Sequence, residues 1–231
     1  MLRLLSTIGV ITLFICAPLR AADNQSPTPA QITQQLEGLS ESQDPLATSL
    51  KESYQSSLRL LQSAEEHRQR SAEYNAVMQG FPDQIGALER QLLNNIPAKG
   101  ALQAEASVAD LQQQLALHSA QLVELQSELN NLTSRLLVIG NRHQMLPGLL
   151  SQKKAELTEV QNEIGSVTEQ GALADAQRIL AQSRRAELVA GIKALELEQL
   201  SSDNRKQLAE AEQNLRKQQV DQLRDIVSRL Q

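Results

Sequence analysis

Aromatic residues are almost missing from this sequence, which has two tyrosines, two phenylalanines and no tryptophan in 231 residues. Compact enzymes fill thick cores and line their pockets with such large side chains, so their scarcity argues against an enzyme. Leu, Ala, Gln and Glu recur throughout, as they do in long helices. The aliphatic content also exceeds that of a disordered tail. The composition therefore predicts an all-α protein that is folded but slender.

Cysteine is equally scarce, and the single Cys16 lies in an N-terminal segment that resembles an export signal. Residues 1–22 carry Arg3 near the start, then an apolar run, and then small Ala21 and Ala22. The apolar run is shorter than the roughly 20 residues that span a bilayer as a helix. We interpret 1–22 as a cleaved signal peptide. An uncleaved anchor is the alternative, because the segment departs from the Ala-x-Ala cleavage pattern.

Removal of this signal would leave a mature chain without cysteine. A lipid anchor at Cys16 is disfavoured, because bulky Ile15 stands where a lipidation site needs a small residue. An exported chain without disulfides must be held together by packing. We therefore expect a periplasmic location, with association to the inner membrane if the chain is part of a channel.

Positive charge is also limited. Without Arg3 and Arg20 the chain has 20 basic residues against 27 acidic ones, a net charge of −7. Neither a polybasic run nor a basic amphipathic helix is present. Nucleic acid and an anionic membrane surface are therefore not expected partners.

The most regular feature is a heptad pattern over residues 111–164, whose two seam positions are aliphatic except at His118, His143 and Lys153. One position holds Leu115, Leu122, Leu129, Leu136, His143, Leu150, Leu157 and Ile164; the other holds Leu111, His118, Leu125, Leu132, Ile139, Leu146, Lys153 and Val160. This spacing predicts a coiled-coil helix whose apolar stripe is covered by another helix. At about 1.5 Å per residue the stretch would be roughly 80 Å long, so we expect an elongated molecule.

Pro147 interrupts the seam, because an interior proline removes a helix hydrogen bond and clashes with the preceding turn. The seam continues in phase across it, with Leu146 and Leu150 on either side. We favour a kink near residue 147. The alternative is a chain reversal with arms at 111–145 and 149–164.

The remaining segments predict shorter helices joined by turns, arranged as elongated antiparallel hairpins without any sheet. A flexible segment and a short helix are expected in 23–44, with Thr28 and Pro29 at the helix start. A helical hairpin and loop are expected in 45–106, with a break at Gly80, Phe81 and Pro82. The long heptad helix occupies 107–164, Gly165 to Gly171 form a turn, and a C-terminal hairpin occupies 172–231 with a turn at 201–204. The seam has few flanking charges, so the chain should cover its own stripe, with self-association secondary.

Candidate chemistry is sparse, and we assign no catalytic, cofactor-binding or metal-binding residues. His118 and His143 occupy seam positions and would lie roughly 37 Å apart on a continuous helix. A role as register-setting polar residues is favoured over a pH-sensitive seam. Glu65, Glu66 and His67 lack the second histidine that a helical metal site requires.

Two segments carry a resemblance to a known family. Residues 31–36, and above all 194–209 with Leu-Glu-Leu-Glu-Gln-Leu-Ser-Ser-Asp-Asn-Arg at 195–205, resemble the N-terminal periplasmic region of large mechanosensitive channels of the small-conductance superfamily. The likeness is nearest to the miniconductance type and extends over nearly the whole chain.

The resemblance implies a periplasmic helical scaffold or modulator of an ion channel that gives osmotic protection. In that family, transmembrane helices follow the periplasmic region, and the heptameric channel opens under membrane tension. This sequence shows no span after the signal and stops at Gln231, so it would be a fragment or a stand-alone relative without channel activity of its own. The implied partners are the channel's transmembrane part or other subunits, with peptidoglycan or envelope proteins as further candidates; no small-molecule substrate is expected. The alternative is a free periplasmic coiled-coil adaptor of an envelope complex.

Overall fold

A computed structural model describes residues 27–39, 44–94, 107–166 and 170–231. They form four α-helices: α1 (Pro29–Gly38), α2 (Pro45–Asn94), α3 (Val108–Ser166) and α4 (Ala172–Leu230). No strand occurs within those four ranges, which confirms the predicted all-α fold. The predicted signal peptide and most of the predicted loop after α2 lie outside them.

Two helix starts follow from local capping. The Thr28 hydroxyl accepts a hydrogen bond from the Gln31 backbone N–H at 3.4 Å, and the Gln31 side chain accepts one from the Thr28 N–H at 3.0 Å. At α3, Ser107 and Asp110 make the same reciprocal exchange. Each exchange satisfies backbone N–H groups that a helix start leaves without partners.

The predicted helical hairpin in 45–106 is wrong where it placed a break at Gly80, Phe81 and Pro82. These residues lie inside α2, which is one helix of 50 residues. An interior glycine costs about 1 kcal/mol and a proline about 3 kcal/mol. Packing along α4 offsets these local costs.

The predicted C-terminal hairpin in 172–231 is also wrong, because α4 is continuous through residues 201–204. Ser201 and Ser202 do not cap a helix there; both are buried. The Ser201 hydroxyl donates to the Glu198 carbonyl oxygen at 3.2 Å. A serine that bonds back to its own helix satisfies its hydroxyl without ending the helix.

The alternative of a reversal at Pro147 is wrong as well. α3 runs without interruption from Val108 to Ser166 with Pro147 inside it. Leu146 and Leu150 are both buried, so the apolar seam stays in phase across the proline.

The helix α4 is central, because it packs along both α2 and α3, whereas α1 packs on α2. Ion pairs from Arg135 to Glu212 and from Lys154 to Glu196 show that α3 is antiparallel to α4. His67 of α2 meets Glu187, and Tyr74, later in α2, meets Arg205, later in α4, so α2 runs parallel to α4. Close backbone packing between α2 and α3 is absent from the described part of the chain. At about 1.5 Å per residue, the 59-residue α3 and α4 are each roughly 90 Å long.

The apolar core follows from this arrangement. Where α1, α2 and α4 meet, Ile32, Leu50 and Tyr54 pack with Ala176 and Ala186. Burial raises the pKa of the Tyr54 hydroxyl, and the nearby Asp175 carboxylate adds to the rise. Along α3 the predicted seam faces α4, and its most buried members are Ile139, Leu146, Leu150 and Val160. None of the helices in the described ranges has the combination of length and hydrophobicity that crossing a bilayer requires.

Candidate functional site

Glu187 of α4 joins the three long helices through a single carboxylate. It is 8% exposed and accepts hydrogen bonds from the Lys153 ammonium of α3 at 3.1 and 3.4 Å. The His67 Nε2 of α2 lies 3.1 Å from the same carboxylate. A buried carboxylate is tolerated only when such partners replace water. Glu187 therefore fixes the positions of α2 and α3 relative to α4.

Gly191 makes room for His67 one turn along α4. A Cβ atom placed at Gly191 would lie 3.3 Å from Nε2 of His67 and 3.4 Å from its Cδ2. That is tighter than an ordinary van der Waals contact. The absence of a side chain at Gly191 thus allows the imidazole to pack closely against α4 and reach Glu187.

Glu198 is a second buried carboxylate on the same face of α4. It is 6% exposed and accepts hydrogen bonds from Arg142 of α3, with Nε at 2.9 Å and Nη2 at 3.0 Å. These hydrogen bonds to Glu198 raise the pKa of the Arg142 guanidinium, against the opposing effect of partial burial. A forked contact of this kind fixes orientation as well as distance.

Tyr74 of α2 completes the contacts around Glu198. The Arg205 guanidinium lies 5.0 Å from the centre of the Tyr74 ring, a distance at which a cation is attracted to the ring face. The Nη2 atom of the same guanidinium lies 3.9 Å from a carboxylate oxygen of Glu198. Burial raises the pKa of the Tyr74 hydroxyl, and Glu198 adds to the rise. We call this set of interacting side chains the charged layer: His67, Tyr74, Arg142, Lys153, Glu187, Glu198 and Arg205.

A cavity of about 210 Å³ lies over α4 between α2 and α3, beside the charged layer. It exists because α2 and α3 both pack on α4 without packing on each other. Its walls carry residues from all three helices: His67, Arg70 and Tyr74 from α2; Arg142, Leu149 and Lys153 from α3; and Gly191, Ala194, Leu195 and Glu198 from α4.

The structure separates the three histidines. His67 belongs to the charged layer, whereas the Nδ1 of His118 lies 3.1 Å from Gln121 on its own helix. His143 Nδ1 lies 3.1 Å from the hydroxyl of buried Ser202, so this seam histidine contacts α4 as a polar residue. Within the described ranges, no three His, Cys, Asp or Glu side chains converge in a way that could hold a metal ion.

The glutamates next to His67 in the sequence do not join it. Glu65 pairs with Arg68 at 2.8 Å and Glu66 with Arg70 at 3.8 Å, and both pairs are exposed. Sequence reasoning missed Glu187 and Glu198 as the centres of the layer. The available signal was Lys153, because a charged residue in an apolar seam needs a buried partner of opposite sign.

A family model and a known relative both relate this chain to mechanosensitive channels. The family model described as the mechanosensitive ion channel porin domain matches residues 34–231. The miniconductance mechanosensitive channel MscM of Escherichia coli (strain K12) is 28% identical over 169 residues, which cover 73% of this chain and 15% of that protein. No solved structure matches.

Proposed function

This chain belongs to the mechanosensitive ion channel porin domain family, and we propose that it is the periplasmic helical module of such a channel. The family match begins within α1 and extends through α4, and it confirms the resemblance found in the sequence. In this proposal the module is a scaffold that adjusts channel opening during osmotic stress, and conduction belongs to other parts of the channel.

The observation that carries this role is the rod itself, with its helices held in register by buried charges. α3 and α4 lie side by side, and ion pairs between them extend from Glu128–Arg216 to Lys153–Glu187. Glu187 and Glu198 together connect α4 to both neighbours. Because sliding one helix would leave a buried carboxylate without its partner, the rod resists shear between helices. A rod of this kind can transmit force along its length.

We propose the transmembrane part of the channel and its other subunits as the main partners. The alignment covers only 15% of the miniconductance channel relative, so a channel polypeptide has ample further sequence to supply a pore. Peptidoglycan or envelope proteins are the further partners of this proposal, in keeping with an exported, periplasmic location.

Patch clamping tests the proposal. A channel polypeptide that contains this module is compared with the same channel lacking residues 34–231, and the membrane tension that opens half of the channels is measured. We expect the deletion to shift that tension while the pore still conducts. A matched control replaces the exposed Arg135 and Glu212 by alanine in the intact channel, which should leave the tension unchanged. Equal tensions for the intact and deleted channels, with unchanged association with the cell wall, would contradict a modulatory role.

A further inference from the structure

We propose that the cavity between α2 and α3 is a binding site for a small anion. Five of the side chains in its walls carry hydrogen-bond donors, and only one, Glu198, carries a carboxylate. The donors come from α2 and α3 and are His67, Arg70, Tyr74, Arg142 and Lys153. This site is independent of the proposed channel role, because it depends only on the geometry of the three helices.

The walls of the cavity carry more positive than negative charge. Arg70, Arg142 and Lys153 line it, and Glu198 is the one carboxylate among its lining residues, while Glu187 pairs with Lys153 from beside the cavity. Arg70 has Glu66 as a partner, but only at 3.8 Å and on the exposed side. This local excess of positive charge occurs in a chain whose net charge is −5. A bound anion would compensate it.

Donor groups are left over after the glutamates are satisfied. Arg142 gives Nε and Nη2 to Glu198, which leaves the N–H groups of Nη1. Lys153 directs its ammonium at both oxygens of Glu187, and an ammonium has three N–H groups. Arg205 belongs to the charged layer but lies outside the cavity walls; its Nε is, in the part of the chain that the structure describes, the one buried side-chain nitrogen or oxygen without a hydrogen-bond partner. The layer therefore has more donors than its own acceptors use.

The volume sets the class of ligand. The cavity has a volume of about 210 Å³. Pockets for larger organic ligands are about 300–1,000 Å³, so the cavity suits a compact anion. Leu149, Leu195 and Ala194 give it apolar wall area as well, which suits a carboxylate with a short alkyl group. A phosphate ion offers the same kind of hydrogen-bond acceptor. The experiment below distinguishes phosphate from a short carboxylate.

The test is an NMR titration of the whole chain at constant ionic strength, with sodium phosphate in one series, sodium acetate in a second and sodium chloride in a third. We expect saturable shifts of amides in 67–74 and 191–198 with phosphate or acetate, and none with chloride. Saturation by acetate assigns a carboxylate ligand, and saturation by phosphate alone assigns phosphate. Absence of saturation with both anions overturns the proposal.

Two matched arginines make the test specific. Arg70→Gln removes a cavity donor that is half exposed and outside the buried pairs, so the fold should persist; we expect anion binding to weaken at least fivefold. Arg68→Gln removes the same charge from a residue that lines a separate groove between α2 and α4, and should bind within twofold of the original chain. Tyr74→Phe keeps the ring beneath Arg205 and should also weaken binding. Equal binding by Arg70→Gln and Arg68→Gln would show that the cavity does not bind the anion.

Discussion

Arg142 of α3 and Glu198 of α4 form a two-pronged ion pair, with nitrogen-to-oxygen distances of 2.9 and 3.0 Å. The carboxylate is buried, whereas the arginine side chain is 39% exposed. The planar guanidinium can keep both hydrogen bonds at only one relative position of the two helices. This pair, together with Lys153 and Glu187, therefore sets the register of the hairpin that α3 and α4 form.

Arg142→Ala should destabilise the fold by about 1–3 kcal/mol. Loss of one partner of a buried pair typically costs about 3–5 kcal/mol, because the other charge stays buried, and the partial exposure of Arg142 lowers this figure. Urea unfolding followed by circular dichroism gives the free energy of unfolding. In an Arg142→Ala, Glu198→Gln double variant, part of the loss should be recovered.

The control is Arg135→Ala. Arg135 pairs with Glu212 across the same two helices, but both side chains are exposed, and such pairs contribute about 0–1 kcal/mol. If Arg135→Ala and Arg142→Ala reduce the free energy of unfolding equally, burial of Glu198 does not make the loss of its partner more costly.

Gly191→Ala should stabilise the chain less than Gly140→Ala. Alanine is favoured over glycine by about 1 kcal/mol in a helix interior, and nothing lies within 4 Å of a Cβ atom at Gly140. At Gly191 the new methyl group meets the His67 ring at 3.3 Å, which strains the contact with Glu187. Thermal unfolding of the two variants measures the difference. Repeating the pair in a His67→Ala background should abolish it; a difference that persists there would refute the steric explanation.

Pro147→Ala should stabilise the protein by about 1–3 kcal/mol. Proline inside a helix costs about 3 kcal/mol relative to alanine, since a hydrogen bond is lost and the ring clashes with the preceding turn. Pro147 itself is exposed, so its replacement removes no core packing. A rise in the unfolding temperature is the expected result. A fall would mean that a bend at Pro147 is needed for α3 to follow α4.

The start of α3 should loosen in acid. Hydrogen bonds from the Ser107 hydroxyl and backbone N–H hold the pKa of the Asp110 carboxyl below its usual 3.8. Because the folded-state pKa is the lower one, the stabilising contribution is present above about pH 3.8 and is lost as the pH falls through the folded-state value. An NMR titration of the Asp110 carboxyl carbon reports that value directly.

Ser107→Ala should raise the pKa of Asp110 toward 3.8. Ser134→Ala is the matched control, because the Ser134 hydroxyl bonds only to the Asn130 carbonyl of its own helix, and this change should leave the titration unaltered. An unchanged Asp110 titration in Ser107→Ala would refute the capping contact.

The long-range periodicity of the sequence predicted the seam of α3 correctly. A 3–4 spacing places apolar residues on one side of a helix. Ile139, Leu146 and Val160 lie on that side and are all buried. The helix starts at Thr28 and Ser107 were equally predictable, since capping depends only on residues within one turn.

The predicted interruptions failed where tertiary packing outweighed a local preference. Pro82 in α2 and Ser202 in α4 both lie inside continuous helices. The parallel pairing of α2 with α4 was also missed, because it depends on which helix covers which stripe. In the sequence, Glu187 and Glu198 look like exposed glutamates. Their burial follows from the packing of α3 on α4, which places Lys153 against Glu187 and Arg142 against Glu198.

The proposed rod requires α4 to lie beside both α2 and α3, with Arg135 of α3 next to Glu212 and Arg68 of α2 next to Val189. Cysteine cross-linking tests this directly, because Cys16 is the only native cysteine and can be replaced by serine. Paired cysteines at Arg135 and Glu212, and at Arg68 and Val189, should be joined within one molecule by a short bismaleimide. The exchanged pairs, Arg135 with Val189 and Arg68 with Glu212, should lie roughly 35 Å apart and should not react. Cross-linking of the exchanged pairs, or failure of the first two, would contradict this arrangement of the helices.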